Sequence, residues 1–592
     1  MERKDIAEKY KWKLSDVFPS DEAWEAEYAE IEKTMEAFDV SRYQGKLADK
    51  ATLLAFYRET GELNKRAEKL YVYAHMSHDQ DLRVSKYNAY MGKISTLFSK
   101  FGAKLAFVDP ELTALSDDAL DGYINDPDFA SQEYMLRLVK AQKAHVLTEG
   151  EEKLLALVSD VTGGFRDTFM MLDNANLNLP KANFNGAETQ MSHGTYGLVM
   201  HTGTREERKE WFEKYYEAYV KLIDAITQTY IGNVKKDIFY TTARKYGSCL
   251  ERAMHGEDVD IAVYNNLVEA VNEALPQMHR YIRLRKDILG LEEQHMYDVY
   301  APLVEDAELK MPFEEAYETV IKGLAPLGES YAALLRKGRD EGWIDVMEND
   351  GKRSGAYSTC VYATHPYVLL NYQQTMNDIF TVAHEMGHAI HSYQSNTAQP
   401  YEKADYTIFV AEIASTVNEV LLLKHLYANT QDKKLKKYLL NYYLDMMRAT
   451  LFRQTQFAQF EQRAHAEAEK GNPLTKESLC EMYYELNQKY YGDGLVHDKQ
   501  IAYEWARIPH FYTAFYVYKY ATGITSAISI VQRILTEGEP AVKDYFTFLQ
   551  SGGSTDPVSI LKRAGVDLTT KTPFERAMKE FEETLDELAA LS

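Results

Sequence analysis

No proline falls between Pro180 and Pro276, or between Pro400 and Pro473. This absence limits what the chain can fold into more than any other feature. Proline removes a backbone donor and clashes with the preceding turn, so stretches this free of it can run as long helices. The whole chain shares the trait: 31 glycines and 15 prolines make 46 of 592 positions, against a usual combined share of about 12%. Long helices are therefore expected in place of many short strands. Apolar spacing agrees, with Tyr264, Leu267, Val268, Val271 and Leu275 on one helical face. The segment from Tyr87 to Phe98 reads as a helix too. Breaks are expected near Asp109–Pro110, Asp126–Pro127 and the polar stretch from Pro180 to His193. One segment reads as strand: Tyr357 to Leu370 is β-branched and aromatic and follows the turn-like Asn349–Gly355, predicting a hairpin.

Composition excludes several functional classes. The chain is 45% hydrophobic and 12% aromatic, enough to bury a large core, so disorder is excluded for most of its length. Subtracting 90 acidic from 67 basic residues leaves a net charge of −23, which repels phosphate backbones, and no nucleic-acid partner is expected. Cys249, Cys360 and Cys480 are far apart and form no C-x-x-C pair, which points to a reducing compartment. The opening residues are charged and lack the apolar core of a signal peptide. Ile524 to Leu535, the most apolar stretch near the C-terminus, is broken by Thr525, Ser526, Ser529, Gln532 and Arg533 and falls short of the roughly 18–20 apolar residues that span a bilayer. A soluble, cytoplasmic protein without a membrane partner is expected.

The chemistry-bearing motif is H-E-x-x-H at His384, Glu385 and His388. Residues four apart on a helix lie about 40° apart around the axis and one turn along it, so both imidazoles can reach one metal at about 2.0–2.1 Å. Glu385 is displaced about 100° from His384, within reach of a water on that metal. A metal lowers the pKa of water and a nearby carboxylate takes the proton, which is what hydrolysis needs. Two solvated surface histidines are the alternative reading. Ile379, Phe380, Val382, Ala383, Met386, Ala389 and Ile390 oppose it, because they make the helix a buried one. A catalytic zinc takes a third protein ligand. His391 shares the face but sits about 10.5 Å from His384 along the axis. Glu412, on a second helix from about Ile408 to Tyr427, avoids that strain and is favoured, with His391 as the alternative. Glu419, on the same side of that helix, suits a hydrogen bond to a ligand histidine; a solvated helix charge is its other reading.

His384-Glu-Met-Gly-His-Ala-Ile-His-Ser and Phe409-Val-Ala-Glu-Ile-Ala-Ser together resemble the thimet-oligopeptidase-like metallopeptidases, and within them the oligoendopeptidase F branch. Trp12-Lys-Leu-Ser-Asp, Ser354-Gly-Ala-Tyr-Ser, Ile508-Pro-His-Phe-Tyr and Phe515-Tyr-Val-Tyr-Lys-Tyr-Ala-Thr-Gly extend the likeness over nearly the whole chain. The resemblance implies one zinc ion per chain on His384, His388 and Glu412, with Glu385 as the catalytic glutamate. It implies a mainly α, two-lobed helical ellipsoid with a deep central channel, and a small β-sheet beside the zinc helix fits it. An N-terminal helical lobe over 1–200 and a catalytic domain over 201–592 are expected. Short unstructured peptides are the implied substrates, and His510 with Tyr516 and Tyr518 the implied stabilisers of the transition state. Read alone, that tyrosine-rich segment is more often a core helix, although a phenol there is also a suitable donor to an oxyanion. The expected activity is zinc-dependent cleavage of internal bonds in short peptides. Exopeptidase cleavage by the same site and a non-catalytic helical binding protein are the alternatives.

Overall fold

A computed structural model describes residues 1–304 and 310–592. Helix accounts for 73% of the chain and strand for 3%, so the mainly α expectation holds. The strands are β1 (Lys181–Phe184), β2 (Ala187–Gln190), β3 (Ile344–Asp345), β4 (Tyr357–Thr359) and β5 (Tyr367–Leu369). The proline-free intervals do run as helices: Arg205–Ala243 in the first, and Ile408–Asn429, Lys433–Met447 and Arg453–Glu469 in the second. Prolines open helices more than they break them. Pro276 lies in the first turn of Leu275–Ile288, and Pro127 starts a 3-10 turn capped by Asp126. No helix among the described residues is long and apolar enough to cross a membrane.

The chain divides into two compact units, each drawn from separated segments. One comprises Met1–Val146, Glu308–His425 and Ile530–Val566; the other comprises Leu147–Ala307, Leu426–Ser529 and Asp567–Ser592. This grouping by packing is discontinuous in sequence, unlike a single cut near residue 200, because helices from distant segments return to the same core.

In the first unit, β3 pairs in parallel with β5, and β5 pairs antiparallel with β4, in the register Tyr357↔Leu369, Ser358↔Val368 and Thr359↔Tyr367. The order β3-β5-β4 leaves β4 at an edge. The expected hairpin is therefore present, with β3 as an additional strand. The N-terminal residues are tied to this sheet. Trp12 packs edge-on against Tyr367 with ring centroids 6.2 Å apart, and buried Asp345 of β3 accepts from Arg3 and from Lys352 Nζ at 2.7 Å. Trp24 stacks on Tyr90 at 3.8 Å and donates to the Leu70 carbonyl, joining the first helices into the core that also takes Val361, Tyr367 and Leu369.

In the second unit, the 39-residue helix Arg205–Ala243 starts at a capping box between Thr204 and Glu207. The stretch expected as a break holds the β1–β2 hairpin, turned at Asn185 and Gly186, both with positive φ. Asn-Gly between strands selects this tight turn, because both central residues must be left-handed. The predicted apolar face of Ile261–Glu273 is buried through Tyr264, Leu267 and Val271. The apolar C-terminal stretch forms part of a buried helix, Tyr518–Glu537.

Candidate metal centre

The H-E-x-x-H motif lies in the middle of the helix Met376–Ala398 in the first unit. Thr375 and Asp378 form its capping box: the Asp378 N–H donates to Thr375 Oγ1 at 3.2 Å, and the Thr375 N–H donates to Asp378 Oδ2 at 2.8 Å. Ile379, Phe380, Val382, Ala383, Met386, Ala389 and Ile390 are all buried, so packing fixes the axial rotation of the helix and with it where the histidines point. β4 and β5 pack against the same helix.

A second helix, Ile408–Asn429, crosses it at Gly387. A Cβ on Gly387 would lie 2.7 Å from the Ala414 carbonyl oxygen and 2.7 Å from Ser415 Cα. Only glycine allows this approach of two backbones. Asn418 fastens the crossing by donating to the Ala383 carbonyl at 2.9 Å, and its own oxygen accepts from the Tyr331 hydroxyl at 2.9 Å.

The close crossing brings Glu412 to the histidines. Glu412 Oε2 is 3.4 Å from His384 Nε2 and 3.3 Å from His388 Nε2, and the two Nε2 atoms are 3.2 Å apart. Ligands at about 2.0–2.1 Å around a tetrahedral zinc sit about 3.3 Å from one another. The triangle thus has the edge length of a tetrahedral face. Among the described residues, His384, His388 and Glu412 form the group whose donor atoms lie close enough together that they could hold a metal ion. On the far side of His384, Nδ1 meets Glu419 Oε1 at 2.6 Å; a proton held there leaves the Nε2 lone pair facing the triangle.

Electrostatics support the same reading. Burial acts to lower the pKa of His384, but Glu412 and Glu419 outweigh it and push it up to about 10. Burial acts to raise Glu412, and the two imidazoles hold it well below the usual carboxylate range instead. Carboxylates that favour a cation at His384 in this way also favour a divalent cation. Glu385 differs. It is 7% exposed, its Oε2 is buried without a hydrogen-bond partner, and burial raises its pKa against the lowering effect of His384 and His388.

His391 stands outside the group. It is 1% exposed, stacks on Tyr406 with centroids 3.8 Å apart, and lies 5.2 Å from the Phe548 ring. Burial, aided by His388, lowers its pKa to about 3, so it is a neutral member of the core.

In the second unit, His510 lies on the short turn Pro509–Tyr512. Its ring lies 5.9 Å from Tyr516, and its Nε2 is 3.3 Å from the Tyr520 hydroxyl. Tyr516 and Tyr520 meet edge to face at 5.6 Å. Tyr518 is not brought to this cluster: it is 1% exposed, and its hydroxyl donates to Glu257 at 3.2 Å. Phe515, between them, has a left-handed φ of 56° and donates its N–H to buried Glu461 at 3.2 Å. Tyr520 faces His510 where Tyr518 was expected. Sequence reasoning also missed the roles of Gly387 and Asn418, although a glycine inside H-E-M-G-H opposite Ala414–Ser415 was a legible sign of close helix approach.

Known proteins are similar to this chain in sequence and fold. Residues 198–580 match the model described as Peptidase family M3, and residues 111–178 match the one described as Oligopeptidase F. The chain is 43% identical to Oligopeptidase PepF of Bacillus subtilis, covering 100% of this chain and 88% of that one. It is 39% identical to the group B oligopeptidase PepB of Streptococcus agalactiae, covering 100% and 98%. The crystal structure of oligoendopeptidase-F from Enterococcus faecium superposes with a TM-score of 0.74 at 34% identity, over 96% of this chain and 99% of that one. With the full length matched by sequence and by fold, the chain belongs to peptidase family M3, on its oligoendopeptidase F branch.

Proposed function

We propose that this metallopeptidase binds one zinc ion on His384, His388 and Glu412 and hydrolyses internal bonds of short, unstructured peptides. The observation that carries the reading is the triangle of 3.2–3.4 Å between three donor atoms, with an unpartnered carboxylate on the adjacent residue. Zinc in such a site supplies Lewis acidity, polarising a carbonyl and lowering the pKa of water toward about 7. Glu385 is the base: its apolar surroundings and raised pKa suit a carboxylate that takes the proton of the attacking water and returns it to the leaving amine. Glu419 holds the His384 tautomer. The stabilising role implied by the resemblance we assign to His510 with Tyr516 and Tyr520, since the Tyr518 hydroxyl is turned to Glu257. Such a donor is worth about 3–4 kcal/mol to an oxyanion. The free edge of β4, beside the motif helix, suits a peptide added as a further strand and held by its backbone irrespective of side chains.

The internal cleavage mode is supported by the name oligoendopeptidase borne by several relatives. The unpaired cysteines support a cytoplasmic home, and the interval between the two family matches, which end at 178 and begin at 198, supports a boundary near residue 200 in sequence. Glu385→Gln tests the chemistry: zinc content is expected to stay near one equivalent while turnover of a peptide blocked at both ends falls by about 10²–10⁴. Wild-type turnover in that variant removes Glu385 as the base, and no internal cut in the doubly blocked peptide favours the exopeptidase alternative.

A further inference from the structure

The second unit contains a cavity of about 430 Å³ in which two arginines share one carboxylate. Two arginines, Arg453 and Arg507, line it with Glu504 between them. Both oxygens of Glu504 are already taken, one by Arg453 Nη2 and the other by the Tyr483 hydroxyl. Arg507 is left 3.9 Å from that carboxylate, beyond hydrogen-bond range, and its Nε is buried without a partner. Its guanidinium lies over the rings of Tyr196 and Tyr215 at 5.7 and 5.5 Å, which fixes its plane but satisfies none of its five N–H donors. The remaining carboxylate on the wall, Asp173, accepts from the Tyr219 hydroxyl at 2.6 Å and faces His193 at 3.7 Å. It offers Arg507 nothing.

A guanidinium whose Nε is buried without an acceptor is costly, and the open space in front of it points to an acceptor that comes from outside. Planar guanidinium matches a carboxylate in a two-bond fork. The volume far exceeds the roughly 30 Å³ that one water occupies in the liquid, and Phe212, Met200 and Met296 give the cavity an apolar wall. We propose that this cavity binds a small organic carboxylate, its carboxylate group on Arg507 and its body against the aromatic and methionine wall. Such a carboxylate comes either from a free amino acid or short peptide or from a small non-peptide acid; only the first source rests on the peptidase reading. Arg507 and Glu504 lie in the 3-10 segment Lys499–Arg507, which leads directly into the turn carrying His510.

Calorimetric titration of the zinc-loaded full chain tests the proposal with four probes: glycyl-phenylalanine, its C-terminal amide, phenylpropionate and chloride at matched ionic strength. The free acids are expected to bind at least about tenfold tighter than the amide, since charge-assisted bonds are the strong ones. A tighter dipeptide assigns the peptide source and equal acids assign the general one; either result supports the site. Arg507→Gln, verified as folded by circular dichroism, is expected to bind the acids no better than the amide. His384→Ala is expected to bind them as the wild type does, which separates this site from the metal centre. Equal binding of acid and amide by the wild type overturns the proposal, as does undiminished acid binding by Arg507→Gln or full competition by chloride.

Discussion

At the scale of single residues, the centre depends on which lone pairs face the triangle. His384 reaches it through Nε2 because Nδ1 is held by Glu419 at 2.6 Å. Removing that outer carboxylate leaves all three candidate ligands in place but loosens one of them. Glu419→Gln is expected to weaken zinc binding about 10–100-fold, read by competition with a chelator, with little change in melting temperature. A wild-type zinc affinity would deny Glu419 the role. His391 shows what a single residue's sequence position does not reveal. It shares a helical face with His384, yet it stacks on Tyr406 at 3.8 Å and belongs to the core. Its letter was legible and its environment was not, because burial is set by what another segment lays over the helix.

At the scale of elements, the third ligand depends on the distance between two helices. Ala414 and Ser415 backbones lie where a Gly387 side chain would be. Gly387→Ala is therefore expected to force the helices apart, at an overpacking cost of about 1–3 kcal/mol. Glu412 would then be drawn from His384 and His388. Zinc content and melting temperature should fall together, and activity with them. A variant holding full zinc at the wild-type melting temperature would show that the crossing does not set the site. The helices themselves were legible, from apolar spacing and absent prolines. So was the β4–β5 hairpin, from its β-branched run. The β1–β2 stretch reads as a break in sequence, although Asn185–Gly186 is a hairpin signature; its strands are short and polar, so pattern alone understates them. Tyr520, not Tyr518, meets His510 for a related reason: with tyrosines at 516, 518 and 520, the pattern alone does not say which of them turns toward the histidine.

At the scale of the whole molecule, stability carries the cost of interior charges. Glu461 is fully buried, and its Oε2 has no hydrogen-bond partner. Burial raises its pKa well above the ordinary value, Asp237 adds to the rise, and the Phe515 N–H opposes it. His465, Arg252 and Lys236 surround the Asp237 side of this cluster. The sign follows from linkage: the folded state keeps the Glu461 proton above about pH 4.3, where the unfolded chain releases it. Its contribution is thus full below that pH and declines as pH rises toward the folded pKa, by up to about 1.4 kcal/mol per unit. Glu461→Gln cannot ionise, so its melting temperature relative to wild type should climb from pH 5 to pH 8. A difference independent of pH would mean that Glu461 is ionised in the folded protein.

The sequence alone determined the helical class, the sheet ahead of the motif, the pair of histidines and the glutamate between them. These depend on neighbours within a turn or two, where backbone geometry converts spacing into position. Tertiary structure alone decided that His391 is walled into the core and the distance at which Glu412 closes the triangle, that Tyr520 faces His510, and that Arg507 Nε is left without an acceptor beside a cavity. Each is an outcome of how separate segments pack, and a chain does not write the distance between two helices at any one position along either.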